Sequence, residues 1–297
     1  MAASFRPRRS ALYVPGDNQR AIDKARGLAV DAVIFDLEDA VAAQAKETAR
    51  RQVVAALTAG GYGRRERVVR VNPLSTPWGR DDLNAVVGAG ADAILLAKVE
   101  GAAAVREAAA ALVAAGAPAG LALWCMIETP RGVLRAEEIA SASPRLACLV
   151  IGTTDLGKFL HAAETADRQP LLTALGQCLL AARAAGLACL DGVYLDVADE
   201  AGFARECRQG AALGFDGKTL IHPSTIAAAN EAFGPSVEQL AEARKIVAAH
   251  TEAQAAGKGV TLLDGKLVEQ PHIGAAQRLL GLAEQIALMV EEAGLAP

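Results

Sequence analysis

Two stretches decide the fold: Leu121-Ala122-Leu123-Trp124-Cys125-Met126-Ile127-Glu128-Thr129 and Leu146-Ala147-Cys148-Leu149-Val150-Ile151-Gly152-Thr153-Thr154-Asp155. Each is a short, unbroken apolar run that ends among carboxylate and threonine side chains. A run with no polar face reads as a parallel strand covered on both sides. Working outward from 121–127 and 146–151, further candidate strands lie at 10–14, 32–37, 67–71, 92–98, 189–195 and 215–221. Segments such as 101–115 and 172–185 separate them and are rich in Ala, Leu, Glu and Arg, which are strong helix formers. Gly90, Gly186 and Gly214 stand just before strands, where helix C-caps belong. Eight βα units in about 230 residues predict a (β/α)8 TIM barrel over 1–235. The alternative is a doubly wound sheet, but no G-x-G-x-x-G follows the first strand. Residues 236–297 read as a C-terminal helical extension: a helix (237–256), a Gly-containing turn with an apolar-charged stretch (257–269) and a last helix (273–293). Too small and apolar to stand alone, it is expected to pack on the barrel or on a neighbouring subunit.

The 297 residues are 52% hydrophobic and 22% charged, which supplies a large core and excludes disorder. A net charge of −4 with 4% aromatics argues against sequence-independent nucleic-acid binding. Basic residues cluster at Arg6, Arg8 and Arg9 and at Arg64, Arg65 and Arg67, and both clusters read as solvated surface. Cys125, Cys148, Cys178, Cys189 and Cys207 show no C-x-x-C spacing, so a reduced, cytoplasmic chain is expected. The early arginines leave no apolar run for a secretory leader. The stretch from Ala108 to Ile127 carries no charge and is long enough to cross a membrane, yet Gly116, Pro118 and Gly120 break it. It reads as helix end, turn and buried strand, with no membrane role.

A barrel of this kind builds its active site at the C-terminal strand ends. Those ends are Asp36-Leu37-Glu38-Asp39, Arg70-Val71-Asn72, Lys98-Val99-Glu100, Glu128-Thr129 and Gly152-Thr153-Thr154-Asp155, with Asp216, Lys218 and His222 on strand eight. Glu128 and Asp155 follow neighbouring strands, so their carboxylates can converge. Two carboxylates plus waters and substrate oxygens suit Mg²⁺. On the plainer reading, Glu128 caps the next helix and Asp155 is a helix N-cap. Arg70 can grip a substrate carboxylate in bidentate fashion, or pair with Asp36, Glu38 and Asp39, or do both. His161, His222, His250 and His272 lack metal-ligand spacing, and only His222 stands at a strand end. No G-x-S-x-G or P-loop occurs.

Taken in order, Arg9-Ser10-Ala11-Leu12-Tyr13-Val14-Pro15-Gly16, Phe35-Asp36-Leu37-Glu38-Asp39-Ala40-Val41, Arg70-Val71-Asn72, Ile127-Glu128-Thr129, Gly152-Thr153-Thr154-Asp155-Leu156 and Asp216-Gly217-Lys218-Thr219-Leu220-Ile221-His222-Pro223 resemble the citrate lyase β-subunit/malyl-CoA lyase family of the HpcH/HpaI aldolase group. The resemblance spans nearly the whole chain. It implies a Mg²⁺-dependent barrel that makes or breaks a carbon–carbon bond in a 3-hydroxyacyl thioester such as (3S)-malyl-CoA, β-methylmalyl-CoA or citramalyl-CoA. The products would be glyoxylate or pyruvate and an acyl-CoA. By the same resemblance Glu128 and Asp155 are metal ligands, and Arg70 holds the oxo-acid carboxylate. Glu38 and Asp39 line that pocket, and Tyr13, Arg20 and Lys24 meet the CoA nucleotide. Arg20 and Lys24, four apart, fall on one helix face. Asp264-Gly265-Lys266-Leu267-Val268-Glu269-Gln270-Pro271 resembles a segment that closes over a neighbour's site. There Glu269 stands where the family's acid/base aspartate is expected. Homo-oligomers, a trimer or a dimer of trimers, are implied as well. A citryl thioester on an acyl-carrier protein and hydrolysis of malyl-CoA to malate are the alternative activities.

Overall fold

The computed structural model describes residues 6–257, 261–263 and 266–292, and these form two compact units, Arg8–Phe233 and the remainder from Gly234 on with the N-terminal residues. In the first unit eight parallel strands close a barrel in chain order, with β8 pairing β1. The strands are β1 (Ser10–Pro15), β2 (Ala32–Asp36), β3 (Glu66–Val71), β4 (Ala93–Leu96), β5 (Ala122–Ile127), β6 (Leu146–Ile151), β7 (Ala188–Asp191) and β8 (Gly217–Leu220). The helices between them are α1 (Gln19–Ala25), α2 (Lys46–Ala59), α3 (Gly79–Val86), α4 (Ala102–Ala114), α5 (Pro130–Leu134), α6 (Ala136–Ala140), α7 (Thr153–Phe159), α8 (Leu172–Ala184), α9 (Glu200–Leu213) and α10 (Ile226–Phe233). The charge-free stretch from Ala108 is the end of α4, a turn and β5.

Side chains of a strand alternate between faces, so each barrel strand feeds two cores. Val33, Phe35, Val69, Ile94, Leu123, Cys125, Ile127 and Leu149 join the core under the helices. Ala11, Ala32, Ile34, Val68, Leu95, Trp124, Met126, Cys148, Val150 and Leu190 fill the barrel interior. This double burial is why β4, β5 and β6 are apolar throughout. Local signals set the boundaries. Thr129 caps α5 by accepting from Gly132 N, with Pro130 at the first helical position. Asp199 caps α9, and Gly214 closes it at φ 104°.

β4, β7 and β8 are shorter than the apolar runs predict. The run 189–195 stops pairing at Asp191, and Gly192 then passes so close to Thr153 that a Cβ there would clash with its Oγ1. The basic clusters correct the sequence reading: four of the six arginines are not solvated. Arg8 forms a two-bond ion pair with Glu66, which is 2% exposed, and its guanidinium lies 5.0 Å from the Trp124 ring centroid at the base of the barrel. Arg9 pairs with Asp31, and Arg67 with Asp92. Arg65 is buried and donates to the carbonyls of Leu28 and Tyr62.

The second unit holds α11 (Val237–Ala255), β9 (Thr261–Leu263), β10 (Lys266–Val268) and α12 (Gln270–Glu292). A capping box of Ser236 and Gln239 starts α11. β9 and β10 pair antiparallel, so the stretch expected as a turn forms a hairpin. Asp264-Gly265 between Thr261-Leu262-Leu263 and Lys266-Leu267-Val268 is the sequence signal for that. Asp264, Gly265 and Gly259 lie outside the described residues. α12 starts earlier than expected because Pro271 is tolerated in a first helical turn. By length and composition alone, α12 is long and apolar enough to cross a membrane.

Candidate active site

The period of two that packs the barrel interior also builds the site. On β2 the inward series Ala32, Ile34 continues to Asp36; on β3 Val68 continues to Arg70; on β5 Trp124 and Met126 continue to Glu128; on β6 Cys148 and Val150 continue to Gly152. Apolar interior thus turns polar at one end only. A cavity of about 230 Å³ opens there, lined by Tyr13, Asp36, Asp39, Arg70, Glu128 and Asp155 among others. A larger hollow of about 330 Å³ at Ala166, Asp167, Arg205 and Gln209 touches no strand end and offers little converging chemistry.

Arg70 is held first by its own chain. Its Nε donates to Asp36 Oδ1 at 2.7 Å and its Nη2 to Asp36 Oδ2 at 2.5 Å, while Nη1 lies 3.2 Å from Glu38 Oε2. The ion pair with the acidic cluster is therefore formed, and the guanidinium also lies 4.9 Å from the Tyr13 ring centroid. Tyr13 stands inside the rim, with its hydroxyl buried and unpartnered, and burial raises its pKa. Arg20 and Lys24 lie apart from it on the exposed side of α1. Glu38 is buried and accepts from the Asp39 backbone N–H; burial carries its pKa above the usual carboxylate range. Asp36 accepts from the backbone N–H groups of Glu38 and Ala40, which fixes the turn after β2.

Glu128 is 3% exposed, and burial pushes its pKa up to about 7. Its Oε1 accepts the Lys98 backbone N–H at 2.7 Å. Neither carboxylate caps a helix: Thr129 and Gly152 occupy the N-cap positions of α5 and α7, and Asp155 stands in the first turn of α7. Asp155 pairs with Lys158 at 3.2 Å. Five carboxylates (Asp36, Glu38, Asp39, Glu128, Asp155) against three cations (Arg70, Lys98, Lys158) leave the rim two charges negative when all are ionised. That balance, and the cradle of Gly152 against Glu128, fit a divalent cation. Among the described residues no group of three His, Cys, Asp or Glu converges as a cage. Two protein ligands with water completing the shell is the habit of Mg²⁺ rather than Zn²⁺.

Glu269 belongs to the second unit, where it is exposed just before α12, and its backbone N–H donates to His272 Nδ1. His222 is exposed and caps a short turn through Nδ1. Lys218 faces away from the cavity, fully buried with Asp191, Glu206 and Arg168. Sequence reasoning missed Thr219, which lines the cavity two residues beyond Gly217, and the contacts of Lys98. The inward series would have found Thr219; the sequence marks Lys98 as a strand-end residue but not its bonds to Glu38, Asp39 and Glu128.

The family model described as HpcH/HpaI aldolase/citrate lyase matches residues 9–223. A protein of Cereibacter sphaeroides (strain KD131 / KCTC 12085) named (3S)-malyl-CoA thioesterase is 51% identical over 287 residues, 97% of this chain and 98% of that one. Citrate lyase subunit beta of Leuconostoc mesenteroides subsp. cremoris is 39% identical over 292 residues, 97% of each chain. Among solved structures, protein CitE from Mycobacterium tuberculosis in complex with magnesium, acetoacetate and coenzyme A is similar with a TM-score of 0.72 and 33% identity, over 93% of this chain and 97% of that one.

Proposed function

The chain belongs to the HpcH/HpaI aldolase/citrate lyase family, and from that premise we propose that it is a Mg²⁺-dependent enzyme acting on a (3S)-malyl-CoA-like thioester, with hydrolysis to malate and CoA as the reaction. The observation that carries the substrate class is the rim itself: one guanidinium held by Asp36 beside the buried carboxylate of Glu128. That pairing suits a ligand with both a carboxylate and a neighbouring oxygen. The relative that is 51% identical and named a thioesterase favours hydrolysis.

Glu128 and Asp155 would hold the Mg²⁺, which supplies Lewis-acid polarisation of the substrate oxygens. Arg70 orients the terminal carboxylate from its Nη1 side, since Asp36 holds the guanidinium in place through Nε and Nη2. Asp39 faces the acyl group from the turn after β2, with Glu38 buried behind it. A cavity of about 230 Å³ suits a four-carbon acyl group, which leaves the nucleotide outside. Arg20 and Lys24, exposed on α1, then serve the CoA phosphates. In hydrolysis a water oxygen bonds to the thioester carbon and the C–S bond breaks; one water proton ends on the departing sulfur as the CoA thiol, and the other is released to solvent as the new carboxyl group ionises.

A second reading is carbon–carbon cleavage to glyoxylate and acetyl-CoA, favoured by the 39% identity to a citrate lyase subunit beta. In that reading Glu269 is the proton carrier for the acetyl-CoA enolate. One incubation separates the two: protein, (3S)-malyl-CoA, Mg²⁺ and phenylhydrazine. Malate and free CoA without hydrazone are expected. Glyoxylate phenylhydrazone with acetyl-CoA would assign the lyase reaction, and no product from malyl-CoA would overturn the substrate class.

A further inference from the structure

β4 ends at Leu96, and Lys98 then enters the left-handed region at φ 53°. A residue with a long side chain seldom adopts it, and Gly, Asn and Asp do so more readily. The conformation lets Lys98 face two ways. Its backbone N–H donates to Glu128 Oε1 at 2.7 Å, and its Nζ lies 2.5 Å from Glu38 Oε1 and 3.1 Å from Asp39 Oδ1. The chain resumes the barrel ladder at once, with Val99 N donating to Met126 O. One strained residue therefore links the acidic turn after β2 to the buried carboxylate after β5.

Its ammonium is a resident cation between two carboxylates of the rim, Glu38 and Asp39. We propose that Lys98 is a positioning residue that confines the divalent ion to the Glu128–Asp155 side of the cavity, an inference that rests on the magnesium reading above. Glu38 and Asp39, bound to the ammonium, are poor ligands. The ion then keeps coordination positions open for substrate oxygens instead of being caged. Without the ammonium, Glu38 Oε1 and Asp39 Oδ1 lose their shared cation and can turn to the ion, while Glu38 Oε2 stays 3.2 Å from Arg70 Nη1. The sign of the effect sets this role apart from scaffolding. A lost scaffold contact weakens metal binding, whereas a lost neighbouring cation strengthens it.

The test is calorimetric titration of Mg²⁺ into the wild-type protein and into Lys98→Met, Lys98→Gly and Lys98→Arg, with folding checked by circular dichroism. Lys98→Gly relaxes the left-handed backbone and keeps the amide on Glu128, so it separates the ammonium from the strain. Lys98→Met and Lys98→Gly should bind Mg²⁺ about tenfold more tightly while kcat falls, and Lys98→Arg should stay within about twofold of wild type. Wild-type binding with unchanged or weaker binding in Lys98→Met and Lys98→Gly overturns the role of Lys98 alone. A wild-type protein that binds no divalent cation overturns the magnesium reading, and this inference with it.

Discussion

A Cβ built on Gly152 would sit 2.4 Å from the Glu128 Cβ and 2.9 Å from its Oε2. Gly152 has φ −88° and ψ 75°, outside the left-handed region, and the clash falls at the root of the Glu128 side chain, so Gly152→Ala, with its fold checked by circular dichroism, should displace Glu128. Mg²⁺ affinity should drop by roughly tenfold to a hundredfold in a binding titration, the usual penalty for disturbing a ligand's support. Unchanged affinity would remove Glu128 from the metal site. Burial raises the Glu128 pKa from 4.5 to about 7. Folding then favours the protonated form, so this group's contribution is full below pH 4.5 and is lost as pH rises through about 7. In chelator, denaturant stability should therefore decline across that window by up to about 3 kcal/mol, and Glu128→Gln should flatten the decline. A flat wild-type profile would contradict it. Arg70→Lys keeps the charge and loses the fork on Asp36, so the KM for malyl-CoA should rise about tenfold or more. An unchanged KM would deny Arg70 its carboxylate-holding role.

The elements are held by ion pairs that join strands to what packs on them. Lys218 on β8 is fully buried and lies 2.6 Å from Glu206 of α9 and 3.3 Å from Asp191 of β7. Lys218→Met leaves Arg168 facing both carboxylates and should cost about 3 kcal/mol or more in urea unfolding. A loss under 1 kcal/mol, the range of exposed pairs, would show that the cluster is not a structural clamp. The barrel strands were legible because both faces of most are buried and the runs of β4, β5 and β6 carry no polar residue, while β2 and β3 are polar chiefly at their ends. The inward series was legible too, since Ala32, Ile34, Asp36 and Trp124, Met126, Glu128 follow a period of two. The Arg8–Glu66 pair was not, because its members stand 58 residues apart and meet only when the barrel closes. Lys98 was legible as a strand-end residue, but its linking role was not, because a positive φ at lysine leaves no mark in residue type.

At the scale of the whole molecule, the second unit leaves Val237, Leu267 and Leu288 exposed, and only Ile273 and Ala276 of α12 are buried among the described residues. We propose that this extension packs on a neighbouring chain in a trimer or hexamer. Sedimentation equilibrium should give a three- or sixfold mass, and a monomer would refute it. If Glu269 carries the proton, Glu269→Gln should bind Mg²⁺ and CoA normally and lose deuterium exchange into acetyl-CoA, and Glu269→Asp should keep it. Wild-type exchange in Glu269→Gln would shift the role to Asp39. The central claim is that Glu128 and Asp155 make this barrel rim a Mg²⁺ site. Calorimetric titration of Mg²⁺ into wild type, Glu128→Gln and Asp155→Asn tests it most directly. The account predicts one ion per chain in the wild type and no measurable binding in either variant, with the circular dichroism of the barrel unchanged; wild-type binding in either variant would contradict it.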